Sequence, residues 1–492
     1  MLFNSQPFIL GFLPATLAAF FLAGRLGGRV AALCVLVAAS LFFYAWWNPP
    51  YVVLLAGSIL VNYALARRIA AARIAAPGIA RRWLVGGLVF DLGLLGVFKY
   101  ADFVLGSLAA LTGRPAPETG LFLPLAISFF TFQQVMFLVD AAREGCPARS
   151  LLEYAGFVAF FPHLIAGPIV RPGEIMAQLR SPALIRPNAE ALAEGFTLFL
   201  LGLAKKLVLA DLFGHLADPG FAGAAAGAPL SLLEAWCATL AYALQIYFDF
   251  SGYSDMAIGL ARMANIRFPL NFDSPYQSRG IAEFWRRWHI TLGRFLRDYL
   301  YIPLGGNRVG RWRGAANLMV TMLLGGLWHG AAWSFVAWGG LHGLFLVIER
   351  GWQRVRPFAL PGPVAQALTL AAVVLAWVPF RAESMPACLT MLRGLAGLNG
   401  LAVPRMILDA LPWLRPIAHP VAVLAWLGDA RTLALPQAMA LLGLGWGIVL
   451  VMPAVHRLSA AGRSRALVAG FALSMQGLFF APHVAPFLYF RF

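Results

Sequence analysis

Eleven stretches of roughly 20 apolar residues leave this chain one solvent in which to fold. A hydrocarbon core about 30 Å thick is crossed by about 20 residues of α-helix. Runs of that kind fall near 7–23, 30–47, 51–66, 83–106, 121–139, 192–213, 232–248, 316–348, 364–380, 434–455 and 466–489. Inside such a layer every backbone N–H and C=O must be satisfied within the protein, which selects helices. The 316–348 run is long enough for a tilted span with extra turns, or for two short helices. Three weaker stretches, near 151–170, 284–304 and 400–427, are broken by proline or charge and read as re-entrant or interfacial pieces. Only 12% of the 492 residues are charged, against roughly 25% in soluble domains. With no repeat and no polar stretch of domain size, residues 1–492 read as one membrane-embedded domain. The expected fold is an all-α polytopic membrane protein of about 11 transmembrane helices.

The net charge of +17 could suggest nucleic acid, but the 38 basic residues, of which Lys99, Lys205 and Lys206 are the lysines, mostly occupy short loops between apolar runs. That is the pattern of topology rather than of polyanion binding. Arg67 to Arg82 carries five arginines and no acid, and Arg25 and Arg29 lie on the same side of the bilayer. The turn between them, Asn48-Pro49-Pro50, is uncharged, so the basic loops are expected in the cytoplasm and Asn48 outside. Tyr44, Trp46 and Trp47 read as an outer interfacial belt. No basic residue precedes Arg25, so the first run is expected to remain as an anchor. Cys34, Cys146, Cys237 and Cys388 have no metal spacing. Cys34 and Cys237 read as core filler.

Polar groups inside a bilayer are costly and therefore candidates for function. Most fall between Lys205 and His342. Tyr247-Phe248-Asp249-Phe250-Ser251-Gly252-Tyr253-Ser254-Asp255 closes one apolar run. Glu283-Phe284-Trp285-Arg286-Arg287-Trp288-His289 opens an amphipathic stretch continuing to Arg297-Asp298-Tyr299. Gly325-Gly326-Leu327-Trp328-His329-Gly330 puts one histidine in the middle of an apolar span. A neutral imidazole there can serve as a general base near neutral pH, and flanking glycines allow a substrate or another backbone to approach. The alternative is a structural histidine bonded to a neighbouring helix. His342, about 220° further round a continuous helix, reads as structural. His163 reads as loop architecture, and His215, His419, His456 and His483 as peripheral.

Lys205-Lys206 could hold an anionic donor, though snorkelling to headgroups is the simpler reading. No HExxH, GxSxG or P-loop is present. A bis-histidine haem or metal site from His289 and His329 is conceivable, but no metal is expected.

The block YFDFSGYSDMAIGL (247–260), EFWRRWHITLGRFLRDYLYIPLGGNR (283–308) and LLGGLWHGAAW (323–333) resembles the membrane-bound O-acyltransferases. It is most similar to their bacterial alginate O-acetyltransferase branch. LPLAISFFTFQQ (123–134), FFPHLIAGPIVR (160–171) and PFLYFRF (486–492) extend the likeness over nearly the whole chain, with the most recognisable core at 121–350. The resemblance implies helices around a central funnel, His329 at the family's near-invariant histidine and His289 at its second polar position. It implies transfer of an acyl group, usually acetyl, from acetyl-CoA or an acyl-carrier thioester in the cytoplasm, with no permanently bound cofactor. The implied acceptor is a hydroxyl of an extracytoplasmic polysaccharide such as alginate, peptidoglycan or cellulose, with a periplasmic esterase-like acetyltransferase as partner and the bacterial inner membrane as location. Teichoic-acid D-alanylation belongs to a sister branch. The chemistry agrees, because acyl transfer needs a base and a site that excludes water.

Two other classes are a transporter without covalent chemistry, against which no inverted repeat is visible, and a structural subunit with inert histidines. Thioester consumption dependent on His329 separates both from an enzyme.

A reporter fused within 67–82 is expected to behave as cytoplasmic and one at Asn48 as extracytoplasmic. The opposite pattern reverses the side from which the donor would enter.

Overall fold

The computed structural model describes residues 1–355, 360–421, 435–457, 470–472, 474 and 487–488, and the chain is mostly helical, at 76%. A π-helical turn at Pro7–Phe12 leads into α1 (Leu13–Ala45), 39 residues in all. A straight rod of that length would measure about 58 Å, nearly twice the hydrocarbon thickness. Gly28 resolves this: at φ 69° and ψ −167° it folds the helix back on itself, a left-handed backbone that glycine adopts without a Cβ clash. The return is visible in the ring pairs Phe8–Phe43 (5.8 Å) and Phe12–Phe42 (6.2 Å). The two arms correspond to the separate runs 7–23 and 30–47.

Next come α2 (Pro50–Ala72), α3 (Pro77–Leu95), a π turn at Gly96–Tyr100 and α4 (Ala101–Thr112). The 83–106 run therefore extends both ways, and Arg81 and Arg82 are helical rather than loop residues. α5 (Ile127–Arg143) begins six residues later than the 121 boundary, where Ala126 takes a left-handed φ of 64°. Short helices α6 (Leu151–Val158), α7 (Phe161–Leu164) and α8 (Pro172–Leu179) replace the weak 151–170 stretch, as its prolines require. α9 (Ala189–Ala204), a π turn at Lys205–Ala210 and α10 (Asp211–Ala225) continue past the expected end at 213. α11 (Leu232–Met263) runs straight through the Tyr247–Asp255 segment rather than ending there.

The 284–304 stretch is α12 (Ile281–Arg287), α13 (Ile290–Phe295) and a π turn at Leu296–Tyr301. The 316–348 run is two helices, α14 (Arg311–His329) and α15 (Trp333–Val355). α16 (Gly362–Arg381) and α17 (Met385–Leu395) follow. In the 400–427 stretch, β1 (Leu401–Pro404), α18 (Arg405–Ala410) and β2 (Ala418–Val421) form a two-stranded parallel ladder, a departure from an all-α fold. α19 (Leu435–Val451) is the last long helix among the described residues. The 466–489 run lies almost wholly outside them. Three helical segments, Pro7–Ala45, Pro50–Ala72 and Gly362–Arg381, are individually long and apolar enough to cross a bilayer.

The chain packs as two compact units. One comprises Met1–Leu203, Tyr253–Leu270 and Gly470–Phe490. Its core is aromatic around Phe3, Phe8, Phe43 and Phe161, and His163 is buried there with Nε2 2.7 Å from the Phe157 carbonyl, an architectural role. Tyr44 is also buried, donating its hydroxyl to the Leu125 carbonyl at 2.9 Å, so it is not part of an interfacial belt; Trp46 and Trp47 are exposed. Cys34 is exposed rather than core filler, whereas Cys237 is buried.

The other unit comprises Ala204–Gly252, Asn271–Ala469 and Arg491–Phe492. Here Lys206 does not snorkel. It is buried, with Nζ 2.8 Å from Asp249 and 2.7 Å from Asp211. The two carboxylates occupy the ammonium, which accounts for both the lysine and the Asp249 that interrupt apolar runs. Removing one member of a buried pair typically costs about 3–5 kcal/mol, because the other charge is left uncompensated. Lys206→Met is expected to lower the thermal midpoint and the membrane level of folded protein, and Lys206→Met with Asp249→Leu to restore much of both.

Candidate active site

The site begins where helices stop. α12 ends at Arg287 and α13 starts at Ile290, with His289 between them at φ 42° and ψ 53°. A non-glycine residue in this left-handed region stores about 1–3 kcal/mol and persists only where its surroundings hold it. Asn271 supplies that hold. Its carbonyl accepts the Ile290 N–H at 3.0 Å, and its side-chain Oδ1 accepts the Thr291 hydroxyl at 2.9 Å and the Thr291 N–H at 3.4 Å. The same Oδ1 lies 3.0 Å from His289 Nδ1. Oδ1 cannot donate, so Nδ1 carries the proton and Nε2 the lone pair. His289 is fully buried, and the Phe250 ring meets it edge-on at 4.7 Å.

α12 is held electrostatically by Glu283 in its first turn. Glu283 accepts the Arg279 N–H at 2.9 Å and pairs with Arg287 at 2.7 Å. Burial would raise the Glu283 carboxyl, but these two partners outweigh it and hold the group below the ordinary carboxylate range.

His329 is the last residue of α14, not the middle of a span as the sequence suggests; Gly330 is extended and α15 starts at Trp333. α14 and α15 pack against each other with glycines at the crossing. A Cβ on Gly326 would strike the Phe335 carbonyl, and one on Gly339 the Met322 carbonyl. These glycines admit a backbone rather than a substrate. At the end of a helix, the C-terminal carbonyl dipoles favour a cationic imidazole. His329 is buried, with Trp328, Trp338 and Phe380 at 4.9, 5.0 and 5.1 Å between ring centroids. His289 is 6.4 Å away on the same measure.

The break between α14 and α15 also changes the place of His342. The 220° separation applies to a continuous helix; with the chain doubled back, Trp338 contacts both His329 (5.0 Å) and His342 (4.9 Å). His342 is fully buried and its Nδ1 accepts the Trp285 indole N–H at 3.3 Å, which puts its own proton on Nε2. Sequence reasoning thus brought together His289 and His329 but missed Asn271, whose single amide in a loop gave no periodic signal, and the wall of Trp285, Trp338, Trp377 and Phe380. Among the described residues no group of three or more His, Cys, Asp or Glu side chains is placed to hold a metal ion.

The chain is mostly helical and apolar, and it buries two neighbouring imidazoles among aromatic rings. Residues 142–380 match the membrane-bound O-acyltransferase family. Over 447 residues the chain is 42% identical to a peptidoglycan O-acetyltransferase of Helicobacter pylori, covering 85% of this chain and 84% of the relative. It is 44% identical over 392 residues to a probable alginate O-acetylase of Pseudomonas aeruginosa, covering 78% and 73%. A teichoic acid D-alanyltransferase of Streptococcus thermophilus is 31% identical over 238 residues, covering 47% and 57%. The chain belongs to the membrane-bound O-acyltransferase family and is an O-acyltransferase.

Asn271 reaches the site through its bonds to His289 and Thr291, so the role argued for it is positioning. Asn271→Ala is expected to lower kcat by about 10- to 100-fold, the equivalent of losing a buried hydrogen bond of about 1.5–3 kcal/mol, with KM for the thioester little changed. Asn271→Asp, which keeps an acceptor for His289 Nδ1, is expected to retain more activity than the alanine variant.

Proposed function

We propose that this enzyme moves an acetyl group from a cytoplasmic thioester, acetyl-CoA or an acylated carrier, towards hydroxyls of an extracytoplasmic polysaccharide. The observation that carries the reading is the His289–His329 pair, 6.4 Å apart between ring centroids within an aromatic enclosure. A hydroxyl oxygen between the rings would be within hydrogen-bond reach of either. In the proposed step that oxygen attacks the thioester carbonyl carbon, its proton passes to His329, the C–S bond breaks, and the proton leaves with the thiolate as a thiol. The C-terminal end of α14 favours the imidazolium formed on the way.

His289 has a different part. A neutral ring protonated at Nδ1 presents an acceptor at Nε2, so it aligns the hydroxyl or relays its proton. His342 braces the Trp338 wall behind His329. Enclosure by tryptophan and phenylalanine keeps water from hydrolysing the thioester.

The names of the relatives support two acceptors. Alginate, or a similar exopolysaccharide, is one. The greater coverage of the peptidoglycan O-acetyltransferase, 85% of this chain against 78%, supports peptidoglycan as the second. The reading includes about eleven spanning helices in a bacterial inner membrane, the catalytic core within 121–350, and a periplasmic esterase-like partner that completes transfer to the polymer.

General-base catalysis is typically worth about 10²–10⁴ in rate, so His329→Ala is expected to reduce polysaccharide acetylation by at least about 100-fold. His289→Ala is also expected to lose activity, with His289→Gln keeping more of it, and His342→Ala to be the mildest of the three. The assay is acetyl content of the isolated polysaccharide in cells carrying each variant at matched membrane levels. Normal acetylation with His329→Ala rules out the mechanism.

A further inference from the structure

The unit that contains α2, α3 and α5 holds a polar cluster far from the catalytic histidines in sequence. Ser58 and Asn62 lie on α2, Asp91 on α3, Gln134 on α5 and Tyr154 on α6, and each is at most 2% exposed. Each amide nitrogen of this cluster, and the Ser58 hydroxyl, donates to an identified acceptor. Asn62 Nδ2 donates to Asp91 Oδ1 at 2.7 Å and to the Ser58 carbonyl at 3.1 Å. Gln134 Nε2 donates to Ser58 Oγ at 2.9 Å, and Ser58 passes its own proton to the Leu55 carbonyl at 3.0 Å. Because each amide nitrogen faces an acceptor, both amide orientations are determined and their oxygens are left over.

What remains is three acceptor oxygens and one phenol hydroxyl, whose single proton can serve one of them. Asp91 Oδ2, Asn62 Oδ1, Gln134 Oε1 and the Tyr154 hydroxyl are buried with no hydrogen-bond partner among the described residues. The Tyr154 oxygen lies within electrostatic range of Asp91. Among those residues no lysine or arginine forms an ion pair with Asp91. Orphaned buried acceptors at this density call for an ion or water. The candidates differ in what they supply. A proton on Asp91 neutralises the charge but provides one donor for several acceptors. A water provides donors but no charge. A divalent ion beside a single carboxylate leaves an uncompensated positive charge at membrane depth, which is expensive. A monovalent metal ion neutralises Asp91 and accepts several oxygens at once, and hard oxygen donors suit hard cations.

We propose that Asp91, Asn62, Gln134 and Tyr154 form a binding site for a monovalent alkali cation, which ties α2, α3, α5 and α6 together. The site is independent of the acyl-transfer reading, since it uses none of the residues assigned to that chemistry.

The test is thermal unfolding of the purified full chain in detergent at constant ionic strength, with choline chloride replaced stepwise by NaCl or KCl. A ligand that binds the folded state alone raises the midpoint in a saturable way. The wild type is expected to gain about 3 °C or more with one of the two ions. Asp91→Asn removes the charge and keeps the shape, so it is expected to give the same midpoint in choline and alkali salts, at or above that of the wild type in choline. Gln134→Met removes one oxygen and keeps the charge; its half-saturating concentration is expected to rise about tenfold, as for a loss of about 1.4 kcal/mol. A wild type with equal midpoints in choline and both alkali salts overturns the proposal, as does a full cation response in Asp91→Asn. If Asp91→Asn does not fold, an unchanged half-saturation in Gln134→Met overturns it instead.

Discussion

Asn271 performs two tasks that a hydrocarbon environment makes inseparable. A helix that starts away from water leaves its first backbone N–H groups without partners. α13 starts that way, and Asn271 takes its first two N–H groups, one on the carbonyl and one on the side-chain oxygen. That oxygen is also the partner of His289 Nδ1. The strained left-handed backbone at His289, the start of α13 and the tautomer of the imidazole are therefore one arrangement. Loss of the amide would release all three together.

The second break works by geometry. Gly330 to Ala332 separate α14 from α15, and the close crossing at Gly326 and Gly339 lays the helices back on each other. As a result His329, Trp338 and His342 share one aromatic wall although thirteen residues separate the histidines. A thioester needs this kind of enclosure, because water competes with the acceptor hydroxyl for the same carbonyl carbon. In the proposed reaction the wall excludes water and the imidazoles carry the proton. His342 accepts the Trp285 indole N–H and so joins α12 to the wall on α15.

Much of this was legible in the sequence. The apolar runs predicted most of the helices, the Pro-rich 151–170 stretch broke where expected, and the motifs around His289 and His329 identified the family before any geometry. What stayed hidden has common physical causes. Hydropathy cannot show a helix end inside an apolar run, so the 316–348 run could not place His329 at a terminus or His342 beside it. Nor can it tell a snorkelling lysine from a buried pair, because Lys206 and Asp249 are 43 positions apart in the chain. The Tyr247–Asp255 segment looked like a helix end for the same reason: its polar groups have partners in space. Asn271 carried no pattern because its role is made by tertiary contact alone. The parallel ladder at 401–404 and 418–421 lay in a Pro-rich segment whose periodicity is neither helical nor extended.

The central claim of the proposal is that His289 and His329 flank the acceptor hydroxyl as it attacks the thioester carbonyl. The most direct measurement is a structure of the protein bound to a non-hydrolysable ketone analogue of an acetyl thioester. The account predicts the analogue's carbonyl carbon facing the gap between the two imidazoles, with room there for a hydroxyl oxygen within about 3 Å of each ring. A carbonyl bound away from both rings, with Trp338 and Phe380 packed between them and the ligand, would contradict it.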